Sequence, residues 1–255
     1  MFLFRLAGCV AFILFAVVVV KADVEPASID LSPQFDHWQL SRRSQGERPT
    51  CSVCTIVGAL EVTRAKHGKK TGHLSFEYAN WAKNQVTSTS TDGGFFHHIW
   101  SGIRRHGICD ENLYPYKEKF DVTAEPNESA RKNASEFFDI PIRVRWIKRW
   151  NIETGLDQAQ FLQIKKALQE GYPVCVGLRW PHKAVHENGV LLSVPKEEVF
   201  DGHSILFVGY QDDDQVEGGG YFIFRNTNNP RENEKMSFRY AMNYANDAVF
   251  FPLRQ

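Results

Sequence analysis

Hydrophobic positions repeat at helical spacing through the first half of the chain. A broad apolar face over Cys51–Lys66 predicts a central, buried helix that stops at the glycine soon after it. Ser75 stands where the N-cap of a second helix is expected, and that helix is predicted to run through Asn84. A third helix is predicted over Phe95–His106. The first half of the chain is therefore expected to be helical.

The second half changes to strand-like patterns after a predicted loop at residues 110–133. One more helix is predicted over Gln158–Glu170, capped by Asp157. The other apolar runs predict strands at Ile142–Ile147, Val174–Trp180, Gly189–Leu192, His203–Tyr210, Tyr221–Arg225 and Ala248–Phe251. This order predicts an α+β protein of two lobes, helical over residues 45–137 and β-rich over residues 138–255.

The N-terminal 22 residues have the pattern of a signal peptide. Arg5 is the only charge before the apolar run Leu6–Val20, and Val20-Lys21-Ala22 fits a cleavage site with small residues. The run is too short for a membrane span, which needs roughly 20 apolar residues. The sequence predicts an exported protein in an extracellular, periplasmic or lysosome-like compartment, with no membrane attachment after cleavage. Residues 23–44 are polar and are predicted to be an extended lead-in.

The composition of the chain argues against several classes of partner and site. Thirty basic and thirty acidic side chains give a net charge of zero, so no bulk attraction to nucleic acid or to a membrane is expected. The protein is predicted to be a monomer. The pair His182 and His186 has no clear third ligand, so neither a metal nor a cofactor is expected. Exported proteins form disulfides, and the four cysteines after the signal peptide allow two: Cys51, Cys54, Cys109 and Cys175.

The candidate chemistry begins where a polar loop meets the first helix. Cys51 opens that helix, and Cys54 lies one turn further along it. The unpaired N–H groups and the positive end of the helix dipole favour a negative charge there. A thiol in such a place can have its pKa lowered to roughly 3.5–7.5, which makes it a nucleophile at neutral pH.

A thiol nucleophile needs a base and a group that orients the base. His203 opens one predicted strand and Asn226 follows the end of the next. If these strands pair as an antiparallel hairpin, the two side chains meet at one end of the sheet. A neutral amide there fixes the tautomer of the imidazole without quenching its charge.

This order of residues resembles that of the papain-like cysteine proteases, peptidase family C1. The resemblance covers most of the chain after the signal peptide, including a Gly93-Gly94 loop and Tyr114-Pro115-Tyr116 between the cysteine and the histidine. The Cys-Gly-Ser-Cys-Trp signature of the family is not present. The form Gln-Gly-x-Arg-x-x-Cys is similar to that of bacterial-type members.

Spacing within that family selects the nucleophile. The family has an oxyanion-hole glutamine six residues before it, and often a Gly-Ala-Leu-Glu that ends ten residues after it. With Cys51 as nucleophile, Gln45 and Glu61 occupy these places. With Cys54 they would be Arg48 and Arg64. The sequence therefore favours Cys51.

The resemblance implies a fold of two lobes, one helical and one like an antiparallel β-barrel, with a peptide or protein substrate in the cleft between them. It implies that Cys51 attacks the carbonyl to form a thioester, as the thiolate of a thiolate–imidazolium pair with His203, which Asn226 orients. The Gln45 amide and the Cys51 N–H are expected to hold the oxyanion. The loop at Gly93-Gly94 is expected to bind the substrate backbone.

Three features depart from the family pattern. Asn226-Thr227-Asn228 stands where the family has Asn-Ser-Trp, which predicts a more solvent-exposed bond between His203 and Asn226. Ser52 replaces the aromatic residue that follows the nucleophile, and the segment before the domain is shorter than a family propeptide. Trp180 and the segment around Gly202 are candidates for the lining of a substrate pocket.

Two other functions stay open on the sequence alone. One is a catalytically inactive binding protein with a papain fold, although Gln45, Cys51, His203 and Asn226 are all present. The other is a thiol–disulfide oxidoreductase that uses Cys51 and Cys54, although no strand precedes Cys51 as that fold requires.

Overall fold

The computed structural model describes residues 26–68, 71–153, 155–228 and 231–254. The predicted signal peptide, residues 1–22, lies outside the described residues. Within the described ranges, no helix is long and apolar enough to cross a membrane.

Helices dominate the first half of the described chain and strands the second. In chain order the elements are β1 (Ser28–Asp30), α1 (Ser32–His37), α2 (Cys51–Lys66), α3 (Phe76–Thr87), α4 (Phe96–His106), α5 (Glu128–Ser135), β2 (Arg145–Lys148), α6 (Gln158–Gln169), β3 (Val174–Pro181), β4 (His186–Glu187), β5 (Val190–Leu191), β6 (Val199–Asp212), β7 (Gly220–Arg225), β8 (Glu234–Ser237), α7 (Phe238–Tyr244) and β9 (Ala245–Phe250).

Helix α2 has the predicted bounds and is buried on nearly every side. It packs against α3 and α4 on one side and against β3 and β6 on the other. Val53, Ile56 and Leu60 have no exposed surface, and polar residues such as Thr63 are buried with them. Because protein covers both sides of the helix, its apolar positions are not confined to one stripe.

Local capping explains where the other helices begin. Ser75 accepts a hydrogen bond from the N–H of Tyr78 at the start of α3, as predicted. At the start of α6, Asp157 and Gln160 form a reciprocal capping box. Helix α5 lies at the end of a segment predicted to be a loop. This helix is short and polar and buries only two alanines, so it has little hydrophobic periodicity.

The sheet of the described residues has nine strands, in the order β2-β9-β3-β6-β7-β8-β5-β4, with β1 beside β6. All pairs are antiparallel except β5 with β8. Strand β6 begins four residues before its predicted start, and it pairs with β1, β3 and β7. The short elements β4, β8 and α7 were not predicted, because their hydrophobic runs are brief.

The predicted extended lead-in is wrong for its described part, residues 26–44. This segment contains β1 and α1 and packs against the β-rich half. Phe35 is 1% exposed, and the guanidinium of Arg225 lies 3.8 Å from the centre of its ring. Arg225 also donates a hydrogen bond to the Leu40 carbonyl at 2.8 Å. Three spaced apolar residues anchor the segment, too few to stand out from its polar sequence: Leu31, Phe35 and Leu40.

We expect Phe35→Ala to lower the free energy of unfolding by about 3–5 kcal/mol, because it opens a cavity beneath α1. Urea denaturation measures this loss. Phe138→Ala is the matched control, because Phe138 is 52% exposed, and it should cost no more than about 0.5 kcal/mol. Equal midpoints for the two variants would mean that the N-terminal segment contributes no packing.

Candidate active site

Cys51 is the first residue of α2, and its thiol lines a cavity of about 360 Å³. The sulfur lies 3.9 Å from the carbonyl oxygen of Gly202. Burial raises the pKa of the Cys51 thiol above its ordinary value, although the N–H groups of Ser204 and Ser52 oppose this shift. The prediction of a lowered pKa is therefore wrong, because desolvation outweighs the groups that would stabilise a thiolate.

The hairpin of β6 and β7 brings His203 and Asn226 together. Leu206 pairs with Arg225, which places the start of one strand beside the end of the other. His203 Nε2 lies 3.0 Å from Asn226 Oδ1. A carbonyl oxygen only accepts, so Nε2 carries the hydrogen and the lone pair of Nδ1 stays available. Burial lowers the pKa of His203, against the hydrogen bond to Asn226, which raises it.

The bond between His203 and Asn226 is shielded from solvent, contrary to the prediction drawn from Asn228. Each of its two residues is 6% exposed. The ring of Trp180 on β3 packs edge-on against the imidazole, with centroids 4.6 Å apart. Trp180 therefore covers the histidine rather than lining the cavity, which Gly202 does line. An aromatic residue at the end of the neighbouring strand was the sequence signal for this role.

Gln45 is held by the loop before α2 and by the residue that follows Asn226. Its side-chain nitrogen donates to the carbonyl of Arg48 at 2.8 Å, and its side-chain oxygen accepts from the Thr227 hydroxyl at 2.5 Å. The Tyr116 hydroxyl donates to the main-chain carbonyl of Gln45 at 2.9 Å. These bonds fix the amide beside the hairpin that carries the histidine.

Of the two predicted substrate-binding glycines, Gly94 lines the cavity and Gly93 does not. Gly93 has a φ of +63°, and a Cβ there would come within 2.3 Å of the Pro49 carbonyl oxygen, so only glycine fits. The N–H of Gly94 donates to the Ser52 hydroxyl at 3.1 Å, and that of Gly93 donates to Asn80 at 3.1 Å. Ser52 therefore has a specific partner, although the family has an aromatic residue at this position.

A buried arginine that the sequence did not single out for a role joins these two loops. Arg48 forms ion pairs with Glu77, at 2.5 Å, and with Asp92, at 2.7 Å. Its guanidinium lies 4.5 Å from the centre of the Tyr116 ring. Burial alone would lower the pKa of Arg48, but the bonds to Asp92 and Glu77 outweigh it and raise the pKa. The arginine therefore keeps its charge inside the protein.

The position of Arg48 in the chain gives these ion pairs their significance. Arg48 lies between Gln45 and Cys51, whereas Asp92 directly precedes Gly93. The amide of Asn80 also donates to Asp92, at 3.0 Å. The loop that leads into the nucleophile and the glycine loop are thus fixed to each other by charge-assisted hydrogen bonds.

The remaining thiols are unsuited to redox exchange. No disulfide is formed among the four described cysteines, which are all free: Cys51, Cys54, Cys109 and Cys175. Cys54 is 3% exposed, and burial raises its pKa to about 12. A buried thiol that stays protonated is a poor partner for exchange, which argues against the oxidoreductase alternative. No cluster of three or more potential metal ligands occurs among the residues that the structure describes.

The sequence and the fold are similar to those of known cysteine proteases. Residues 26–249 match the family model of papain family cysteine proteases. The structure is similar to that of xylellain, a cysteine protease from Xylella fastidiosa, with 17% identity, a TM-score of 0.69 and coverage of 91% of this chain and 88% of that chain. No curated protein matches the chain in sequence.

Two further solved structures share the fold. One is digestive procathepsin L 3 of the Tenebrio molitor larval midgut, with 17% identity, a TM-score of 0.62 and coverage of 92% of this chain and 72% of that chain. The other is the proform of the Amb a 11 cysteine protease, a ragweed pollen allergen, with 17% identity, a TM-score of 0.63 and coverage of 92% and 67%. Together they confirm the predicted α+β papain-like architecture.

We expect Arg48→Gln to lower the free energy of unfolding by about 3–5 kcal/mol, because it leaves two carboxylates buried without their cation. Arg131→Gln is the matched control in the same urea titration. Arg131 also lies over an aromatic ring, that of Trp81, but its ion pair with Glu125 is about half exposed. Its loss should cost no more than about 1 kcal/mol. Similar losses in the two variants would contradict a special role for the buried pairs.

Proposed function

The chain belongs to the papain family of cysteine proteases, and we propose that it is an exported peptidase that cuts peptide bonds through a thioester on Cys51. Membership of the family makes it a cysteine-type peptidase whose substrates are peptides or proteins. One observation carries the assignment of residues: Cys51 and His203 line the same cavity, and Asn226 holds the far nitrogen of the histidine. Export rests on the signal-peptide pattern of residues 1–22.

The reaction begins with transfer of the Cys51 proton to Nδ1 of His203. Burial favours the neutral form of each group alone, but the transfer creates opposite charges that stabilise each other in a site of low polarity. The thiolate–imidazolium pair is therefore assigned to the reacting complex. The sulfur then attacks the carbonyl carbon, and His203 later gives the proton to the leaving amine.

The negative charge on the attacked carbonyl oxygen requires donors. An amide nitrogen carries two N–H groups, and the bond from Gln45 to the carbonyl of Arg48 uses one of them. We assign the other, together with the main-chain N–H of Cys51, to the oxyanion. Each such donor contributes roughly 2.7–4 kcal/mol in comparable acyl-transfer sites.

The second half of the reaction regenerates the enzyme. A water molecule attacks the thioester carbonyl while His203 accepts one of its protons, and the acid product leaves with the thiol restored. During both halves the substrate backbone is assigned to the loop of Gly93 and Gly94. Because both N–H groups of this loop are already donated within the protein, its carbonyls are the groups left to receive substrate N–H groups.

Substitution of the two neighbouring cysteines tests the nucleophile. We expect Cys51→Ser to lower kcat/KM on a peptide substrate by roughly four orders of magnitude or more, because the attacking thiolate is lost. Cys54→Ser should keep most of the activity, since that thiol is buried beneath the site. An epoxide inhibitor of cysteine peptidases should label Cys51, as mass spectrometry can establish.

Other outcomes distinguish the alternatives. Labelling of Cys54, or equal loss of hydrolysis in both variants, would contradict the assignment of Cys51. A purified wild-type protein that binds peptides but hydrolyses none of them would support the inactive binding protein instead.

The raised pKa of Cys51 predicts how its thiol reacts with iodoacetamide when no substrate is added. A thiol with a raised pKa is largely protonated at neutral pH, so its thiolate fraction grows as pH rises. We expect the alkylation rate of Cys51 to increase steadily from about pH 6 to beyond about pH 9. Cys51→Ser serves as the control for other thiols. A rate that is already constant between about pH 5 and pH 8 would instead indicate an ion pair formed before substrate binds.

A further inference from the structure

A β-bulge between β3 and β9 lies beside the cavity. Strands β3 and β9 pair Gly177 with Asp247, but the next pair joins Leu178 to Ala245. Asn246 is therefore the extra residue on β9. Such a bulge changes the direction of side chains that would otherwise alternate between the two faces of the sheet.

The bulge brings two polar side chains to one place. A Cβ built on Gly177 would lie 2.0 Å from Oδ1 of Asp247 and 3.0 Å from Oδ1 of Asn246. Both oxygens therefore occupy the space over Gly177 where a side chain would otherwise stand. All three residues line the cavity that contains Cys51 and His203. Because residue 177 is glycine, there is room for Asp247 and Asn246 to form a polar floor of the cavity.

The walls of the cavity differ from this floor. Phe95, Trp150 and Ile152 line its mouth and are 41%, 45% and 71% exposed, so they present apolar surface to a ligand. The N–H of Asn151 donates to the carbonyl of Asn246 at 3.1 Å, which ties this wall to the bulge. The cavity is thus an apolar passage that ends at a carboxyl group.

The charges around Asp247 are few. Asp247 is 5% exposed, and burial raises its pKa to about 7, although the N–H of Gly177 and the charge of Lys148 on β2 lower it. Cys175 on β3 interacts electrostatically with Asp247, and His203 on β6 and Cys51 on α2 line the same cavity. Unlike Arg48, this carboxyl forms no ion pair within the part of the chain that the structure describes.

We propose that Asp247 makes this cavity select a substrate side chain with an apolar stem and a cationic tip, that of arginine or lysine. The stem lies along Phe95, Trp150 and Ile152, and the tip donates charge-assisted hydrogen bonds to the carboxylate. This inference rests on the proposed peptidase function. Because the carboxyl must be ionised to bind a cation, the preference for a cationic over an uncharged side chain strengthens as pH rises. At acidic pH the carboxyl is neutral, so the cavity accepts an uncharged side chain as well as it accepts a cationic one.

Peptides that differ by one charge test this inference. Arginine and citrulline, which has the same length without the charge, are placed in turn at each of the two positions before the cleaved bond. At one position we expect the ratio of kcat/KM for arginine over citrulline to rise about tenfold or more from about pH 5 to about pH 8.5. The ratio cancels the pH dependence that Cys51 and His203 impose on both peptides.

Three variants sharpen the test. Asp247→Asn should bring the ratio near one at every pH, whereas Asp214→Asn, in the exposed turn after β6, should leave it unchanged. Lys148→Met removes a charge that lowers the pKa of Asp247, so the rise in the ratio should move to higher pH. The Lys148→Met variant and the wild-type pH profile test the role of Asp247 even if Asp247→Asn fails to fold.

The outcomes separate this inference from the proposed function. If citrulline peptides are cleaved and the ratio is flat with pH at both positions, the role of Asp247 is refuted and the peptidase stands. A ratio in Asp247→Asn equal to that of the wild type refutes it as well. If the wild type cleaves no peptide at all, the proposed function fails and the inference falls with it.

Discussion

The burial of α2 on both sides is the constraint on which the rest of the site depends. With α3 and α4 against one side and β3 and β6 against the other, the helix cannot shift without opening the core. Its first residue, Cys51, is therefore fixed relative to the sheet that carries His203. The loop before the helix is partly buried, so water cannot reach all of its polar groups. Each of these groups would be unfavourable without a hydrogen-bond partner from the protein.

That loop is satisfied by protein groups rather than by solvent, and this makes it rigid. Gln45 is held by Thr227 and Tyr116, and Arg48 is held by Glu77 and Asp92. The Gln45 amide, which we propose as an oxyanion donor, and the glycine loop are then positioned before a substrate arrives, and fixed donors of this kind are the most effective. A buried ion pair adds little net stability over apolar packing, so its value here lies in fixing one geometry for the two loops.

Motif spacing was sufficient to predict the helix and the hairpin that carry the candidate site residues. Helix α2 has a broad apolar face, and His203 and Asn226 lie at the ends of two strands that pair as a hairpin. What could not be predicted depends on contacts between distant residues. The packing of Trp180 on His203 depends on how β3 aligns with β6, and the polar floor depends on a shift of one residue between β3 and β9. Neither leaves a periodic pattern in the sequence.

The departures from the family pattern bear on whether the site is complete. Asn228 does not expose the bond between His203 and Asn226, because Trp180 covers the imidazole from another strand. Ser52 is not an unfilled aromatic position, because its hydroxyl receives the N–H of Gly94. Each departure thus comes with a contact that restores the shielding or the support in a different way. Both contacts act on groups that the proposed reaction uses. The geometry is therefore more consistent with a working peptidase than with a binding protein that has lost its chemistry.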